Sequence, residues 1–324
     1  MRNMIPALAL GLLLAAGAAS AASSSAGTAG ATFLKLGAGA RAGAMADAFT
    51  AVADDAFAAY YNPAGLSTLS GPQLGGAHSA LFQGVSYQSL AFVYPFGRAD
   101  GRERIETSSN RHALGFAIYY LGVGDIERRS GDSTAAIGTF NSADAAYALS
   151  YAYAPNDRLS LGVTGKYVSQ TLDSYSGNAF AADLGVLYHV NPHAEKPLTV
   201  GASIRHIGSR IGYVSSATDP LPTTVALGAA YAPSKAFVAD LDLGKARDGD
   251  PYVALGVEGR KLLGESATGA FRFGYTSARK DNSGLNGITA GAGLAFPKAS
   301  FDFAWIPFGT LGDAFRFSLL VKFR

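Results

Sequence analysis

Three groupings in this sequence have residue types that could do chemistry. Gly37-Ala38-Gly39-Ala40-Arg41-Ala42-Gly43 spaces its glycines somewhat like a phosphate loop. The third glycine comes one place late, no βα unit surrounds it, and no Gly-Lys-Ser/Thr follows, so no dinucleotide is expected there. His189 and His193 are four apart, but Pro192 sits between them in a turn, so a helical metal pair is not expected. Structural or solvent-facing histidines are the plainer reading. Asp240 and Asp242 share one face of an alternating segment. They could hold a cation, or pair with inward arginines. There is no G-x-S-x-G nucleophile elbow. The chain has no Cys, which removes disulfide and thiolate chemistry. These readings predict neither an enzyme nor a cofactor. A formal charge of +2 gives no case for a nucleic-acid partner.

The elements around these groupings are strands. Charged residues make up 15% of the chain, against about 25% in an average soluble domain. With 40 Gly, 16 Tyr and 19 Phe, this composition suits a barrel with an apolar outside and a small-residue inside. From about Pro72 the apolar period is two. Phe315, Phe317, Leu319, Val321 and Phe323 alternate with Arg316, Ser318, Leu320 and Lys322. Fourteen such segments are expected, near 72–82, 85–96, 111–121, 143–153, 158–170, 178–189, 198–207, 222–232, 236–244, 251–262, 267–277, 286–296, 299–306 and 314–323. Each is near the length of a tilted transmembrane strand. Past the N-terminus no apolar run reaches transmembrane-helix length, so a closed antiparallel β-barrel is the remaining way to cross a membrane. A soluble sandwich would expose more charge, and no propeller repeat of about 40–50 residues is found. Outer-membrane lipid is then the solvent of the apolar face.

The opposite faces carry Gly, Ala, Ser, Thr and scattered charges. They include Asp144, Asp183, Asp240, Asp242, Glu258 and Asp302, and Lys166, Arg205, Arg260, Arg272, Arg316 and Lys322. A lipid-facing Arg or Lys costs about 2–4 kcal/mol at mid-bilayer, so all of these are expected to face the lumen. Their balance argues against a strongly ion-selective channel and for pairing with each other or with residues of a plug. Short turns at Pro155-Asn156-Asp157, Asn191-Pro192, Pro233-Ser234-Lys235 and Pro297-Lys298 alternate with longer loops near 122–142, 208–221, 277–285 and 307–313. That asymmetry places both termini in the periplasm. The charged stretch Gly97 to Asn110 is the exception, being long on the short-turn side.

Residues 1–21 read as a secretory signal. Arg2 is the positive n-region, Ile5 to Ala16 the apolar core, and Ala19-Ser20-Ala21 the cleavage site. Between the signal and the barrel (72–324), residues 22–71 read as a plug or hatch that starts at the periplasmic end and fills the lumen. Ala44 to Phe57 is expected to be helical, with Met45, Phe49 and Val52 on one face. Asp54 and Asp55 fall near its end, where the helix dipole disfavours them, unless they lie past it. They are expected to have a partner such as Arg41 or a lumen arginine. Asn62-Pro63 then breaks the path before the first strand.

Three runs in this segment resemble the PorV/PorQ family, within the FadL-like superfamily of outer-membrane barrels. They are Phe33-Leu34-Lys35-Leu36-Gly37-Ala38-Gly39-Ala40-Arg41, Ala48-Phe49-Thr50-Ala51-Val52-Ala53-Asp54-Asp55 and Tyr60-Tyr61-Asn62-Pro63-Ala64-Gly65-Leu66. The match spans about forty residues, and the rest of the chain is similar only in length and strand number. Near Met45-Ala46-Asp47 this chain departs, having Ala and Asp where that family usually has a second Gly. The resemblance implies a 14-stranded outer-membrane barrel of a Gram-negative bacterium with an N-terminal α-helical hatch. It makes Phe33, Gly37, Gly39, Arg41, Phe49, Asp54, Asp55, Asn62, Pro63 and Gly65 the hatch or gating residues. It implies one of two functions. PorV-like members serve type IX secretion, meeting exported protein domains and the translocon. FadL-like members pass hydrophobic small molecules, for which a small-residue lumen would leave room. A permanently closed structural barrel is the third reading.

Overall fold

Why the chain closes on itself follows from its last strand. Asp313–Lys322 has an apolar outer row and pairs along one edge with Ala299–Pro307 and along the other with the first strand. The computed structural model describes residues 27–97, 112–132, 135–213, 217–279 and 286–323. The expected signal at 1–21 and nearly all of the charged stretch 97–110 lie outside them. The strands are β1 (Gln73–Ala80), β2 (Ser86–Phe96), β3 (His112–Arg128), β4 (Gly138–Tyr153), β5 (Leu159–Leu172), β6 (Tyr175–His189) and β7 (Leu198–Gly208). They continue with β8 (Arg210–Ile211), β9 (Asp219–Pro220), β10 (Thr224–Ser234), β11 (Phe237–Ala246), β12 (Pro251–Leu263) and β13 (Ala267–Thr276). The last three are β14 (Ile288–Ala295), β15 (Ala299–Pro307) and β16 (Asp313–Lys322). β8 and β9 pair with each other as a small ribbon, and the other fourteen form one closed antiparallel barrel. β1 meets β16 in the register Gln73↔Lys322 to Ala80↔Phe315, which closes it.

Alternation sorts the two faces. Phe180, Leu149 and Phe271 are 64–70% exposed on the outside, whereas Ala146, Ala148 and Ala152 are buried inside. Lys166, Asp183, Arg205, Asp240, Asp242, Glu258, Arg272 and Arg316 are all buried on the inner face.

Two expectations about elements change. The expected long loop 122–142 is mostly strand, because β3 runs on to Arg128 and β4 begins at Gly138. Beyond the bilayer a strand needs no apolar row, so its sequence no longer shows the period-two pattern. A register shift between Val123 and Ile126 marks the change. The second correction concerns the helix Ala44 to Phe57, which does not form. The N-terminal segment holds instead a 3-10 turn (Thr32–Lys35), α1 (Ala40–Ala44), α2 (Ala58–Tyr61) and a 3-10 helix (Pro63–Thr68), joined by turns. Ala46, Asp47 and Ala53 take φ of 55°, 60° and 24°, which a right-handed helix cannot contain.

Ala46 and Asp47 hold a left-handed backbone, which glycine adopts without strain. Ala46→Gly is therefore expected to stabilise the folded barrel by about 1 kcal/mol, read as a higher thermal midpoint. A lower midpoint would refute that reading of the turn.

The path of the segment also differs from the expectation. Its first described residues lie at the end of the barrel away from both barrel termini. The Gly30 amide donates to the Pro220 carbonyl at 3.0 Å in the β8–β9 ribbon. The Ala31 amide donates to Gln170 near the top of β5. From this loop end the chain descends through the lumen to the turn end, where the Phe323 amide donates to the Pro72 carbonyl at 2.9 Å. It thus starts at the loop end, not at the end where β1 begins.

Candidate functional site

The site is the interface between this segment and the barrel wall. Its centre is Arg41, carried on α1. The Arg41 Nε donates to Glu258 Oε2 at 2.8 Å and Nη2 to Oε1 at 3.1 Å. The same guanidinium pairs with Asp54, and with Asp55 at 3.3 Å, and lies 5.2 Å from the centre of the Phe49 ring. Glu258 is fully buried on β12 and also accepts from Arg260 at 2.7 Å and from Arg272. Arg272 continues to Asp302 at 2.8 Å. So Arg41, Asp54, Asp55, Glu258, Arg260 and Arg272 meet in one network. Asp54 and Asp55 lie beyond any helix, which removes the dipole conflict. Removing one partner from such a buried cluster costs far more than breaking an exposed pair, because the charges left behind stay desolvated.

A second anchor joins Asp47 to Arg316. Asp47 lies 3.5 Å from Arg316 Nη1 and accepts from the Tyr61 hydroxyl at 2.7 Å. The Arg316 guanidinium also donates to the Gly39 carbonyl at 3.2 Å and to Ser79 at 3.0 Å. Gly39 itself has φ 76°, and a side chain there would press on Phe57. Gly37 is hemmed in by Asp47 and Tyr61. Phe33 is buried near the loop end.

Asp240 and Asp242 do something the sequence did not suggest. Asp242 Oδ2 accepts from the Phe49 and Thr50 amides, both at 3.1 Å, and Asp240 Oδ2 from the Val52 amide at 3.3 Å. They satisfy the backbone donors that the missing helix would have paired. Arginine pairing is therefore not their role in the plugged barrel. Asp183 and Arg205 also lie apart from the Glu258 network. Asp183 pairs with Lys166 at 2.5 Å and accepts from the His206 amide at 2.8 Å. Arg205 lies over the rings of Tyr60 and Tyr61, at 5.2 and 5.9 Å. His189 is 3.0 Å from Thr199, and His193 is 3.8 Å from Asp157 at the turn end. Among the described residues no three such side chains gather as metal ligands.

Asn62-Pro63-Ala64-Gly65 locks the lower part. The Asn62 amide group donates to the Thr50 carbonyl at 2.9 Å and to the Val186 carbonyl of β6 at 3.1 Å. Its Oδ1 accepts from the Ala64 amide, capping the 3-10 helix that Pro63 begins. Gly65 lies directly against Ala53, leaving no space for a side chain.

The wall facing this chain is made of glycines. Gly162 and Gly185 oppose each other on β5 and β6, Gly201 and Gly228 on β7 and β10, and Gly256 and Gly274 on β12 and β13. A Cβ at Gly201 would stand 2.5 Å from the Thr50 carbonyl, and one at Gly256 2.6 Å from Met45. At Gly162 it would overlap the Pro63–Ala64 peptide. On β11, between these pairs, the two aspartates take the contact row. The small lumen residues therefore receive backbone; at this height they do not leave room for a ligand. Periodicity gives the face of each glycine but not its height, so the belt was not readable from the sequence.

Above the belt, at the loop end, lies a cavity of about 540 Å³. Its walls include Lys35, Asp47, Tyr60, Tyr61, Arg205, Asp248, Asp250, Tyr252, Arg279 and Arg316. Lys35 reaches Asp248 at 2.6 Å.

Comparison with known proteins agrees with this architecture. Residues 19–241 match the family model described as type IX secretion system protein PorV. No curated protein sequence matches the chain. Among solved structures, the toluene transporter TbuX of Ralstonia pickettii is similar in fold, with TM-score 0.57 and 14% identity over 89% of this chain and 99% of that one. The CymD monoaromatic hydrocarbon channel gives TM-score 0.55 and 14% identity over 89% and 98%. A structure of the toluene transporter TodX of Pseudomonas putida gives 0.55 and 10% over 89% and 99%. At these identities the likeness is one of fold, that of a closed antiparallel β-barrel. The profile match covers more than half of the sequence, and the chain belongs to the PorV family.

Proposed function

We propose that this outer-membrane barrel is a closed docking component of protein export, meeting an exported protein domain or the secretion translocon. The observation that supports it most is the glycine belt. Segment backbone lies against successive strands at van der Waals distance or less of any added side chain, and the Glu258 network adds a buried electrostatic lock. Such a lumen is built to hold its plug, and a docking barrel needs no conduit. In this reading residues 31–66 are a permanent hatch, the signal is cleaved, the loop end faces outward and both barrel termini face the periplasm. No enzymatic step is assigned to the barrel.

The second reading, passage of a hydrophobic small molecule, draws on the fold shared with the toluene transporters. Against it stands the cavity above the belt, whose walls carry guanidinium, carboxylate and phenol groups. The test is cross-linked purification of the full-length barrel from its native membrane in mild detergent, beside an uptake assay. Co-purification of a much larger barrel or of exported proteins sharing a C-terminal β domain is expected, with no uptake of hydrophobic probes through the intact barrel above a barrel-free control. Solitary purification together with probe uptake through the intact barrel would overturn the proposal.

A further inference from the structure

The loop-end cavity has an electrostatic asymmetry that the plug does not use. Arg205 is 8% exposed and stacked on tyrosine rings, and no acceptor among the described residues reaches its Nε. Arg279, in the segment after β13, lies 5.2 Å from the centre of the Phe308 ring, and its Nη1 is likewise buried without an acceptor among the described residues. Neither arginine has a carboxylate at ion-pair distance among the described residues, unlike the arginines of the Glu258 network. Burial, and next to it the repulsion of Arg316 set against the attraction of Asp47, holds the Arg279 guanidinium below its ordinary value. Unpaired cations of this kind are costly to bury unless something anionic joins them.

The acids that share the cavity are mostly taken. Asp248 is held by Lys35, and Asp47 by Tyr61 and Arg316. Asp250 is half-buried in the same wall. Lys35, Arg205, Arg279 and Arg316 thus face Asp47, Asp248 and Asp250, four cations to three carboxylates among the described residues. The surplus lies where Arg205 and Arg279 have free donors. A cavity of about 540 Å³ is within the roughly 300–1,000 Å³ of small-molecule sites.

We propose that this cavity binds a compact oxyanion, a phosphate or a small carboxylate, between Arg205 and Arg279. Guanidinium donors match such groups in pairs, and the Tyr252 phenol in the same wall, whose oxygen accepts from Arg205, keeps its O–H as a further donor. A long alkyl chain does not fit this chemistry, since it would leave the charged walls without water or a partner. The oxyanion is either free or the headgroup of a lipid. The site stands whether or not the barrel docks exported proteins.

The experiment uses the full barrel in neutral detergent, at fixed ionic strength, with its thermal midpoint followed as inorganic phosphate, succinate, chloride or dodecanoate is titrated. Phosphate or succinate is expected to raise the midpoint saturably, and chloride not. Arg279→Gln and Arg205→Gln should each weaken the apparent affinity about tenfold. Arg279→Gln lies outside the barrel strands, so it keeps the test valid if Arg205→Gln misfolds. Nanodiscs then separate the sources. Loss of the phosphate response in discs of anionic phospholipid, but not zwitterionic ones, identifies the headgroup, and its persistence in both identifies the free anion. A response equal for chloride, a response to dodecanoate alone, or unchanged affinity in a folded Arg279→Gln barrel would overturn the proposal.

Discussion

Replacing Glu258 with Gln should unseat the plug. The fully buried carboxylate accepts from Arg41, Arg260 and Arg272. Breaking a buried ionic cluster by removing one partner costs about 3–5 kcal/mol, because the cations left behind stay desolvated. Here Asp54, Asp55 and Asp302 still attract the arginines, so a loss near 3 kcal/mol is expected. It should appear as a lower thermal midpoint and as intermittent single-channel openings, with the barrel carrying Glu258 expected to be silent. Arg41→Gln should do much the same. The double variant should then cost clearly less than the sum of the two, since both remove one contact. Additive losses, or a silent Glu258→Gln barrel with an unchanged midpoint, would show that the network does not hold the plug.

The second large effect comes from a single methyl-bearing carbon in the wrong place. At Gly162 an added side chain overlaps the Pro63–Ala64 peptide, which is backbone and cannot rotate away. Three residues further along β5, Gly165 has nothing within 4 Å of the same position and faces outward. Gly162→Val is therefore expected to cost at least 1–3 kcal/mol through overpacking and to expose residues 31–71 to protease. Gly165→Val is the matched control and should leave both readouts unchanged, adding apolar surface on the lipid face. If the two variants behave alike, the close approach of segment and wall is not what seats the plug.

The barrel was largely readable from the chain because a lipid-facing strand must alternate, and Phe315 to Phe323 do so with Leu320 as the one apolar residue on the inner face. The strand limits fail only where the membrane stops imposing that rule, as at Val123 to Arg128. The pairing of Arg41 with Asp54 and Asp55 was also readable, since the three lie close in sequence. Its buried partner Glu258 was not, because a period of two says nothing about which strands come to stand beside the plug. The helix over Ala44 to Phe57 was misread for a related reason. Alanine favours a helix locally, but Asp240 and Asp242 offer the Phe49, Thr50 and Val52 amides better-placed acceptors from 188 to 193 residues away.

The course of the segment from loop end to turn end also constrains how the molecule is assembled. It is joined directly to β1, which pairs along one edge with β2 and along the other with β16, made later than every other described strand. Once that seam is shut, the glycine belt leaves no clearance through which a chain could be drawn. The sheet must therefore curl around the segment as around a mandrel, and the same zipping of β1 onto β16 that ends barrel formation makes the enclosure final.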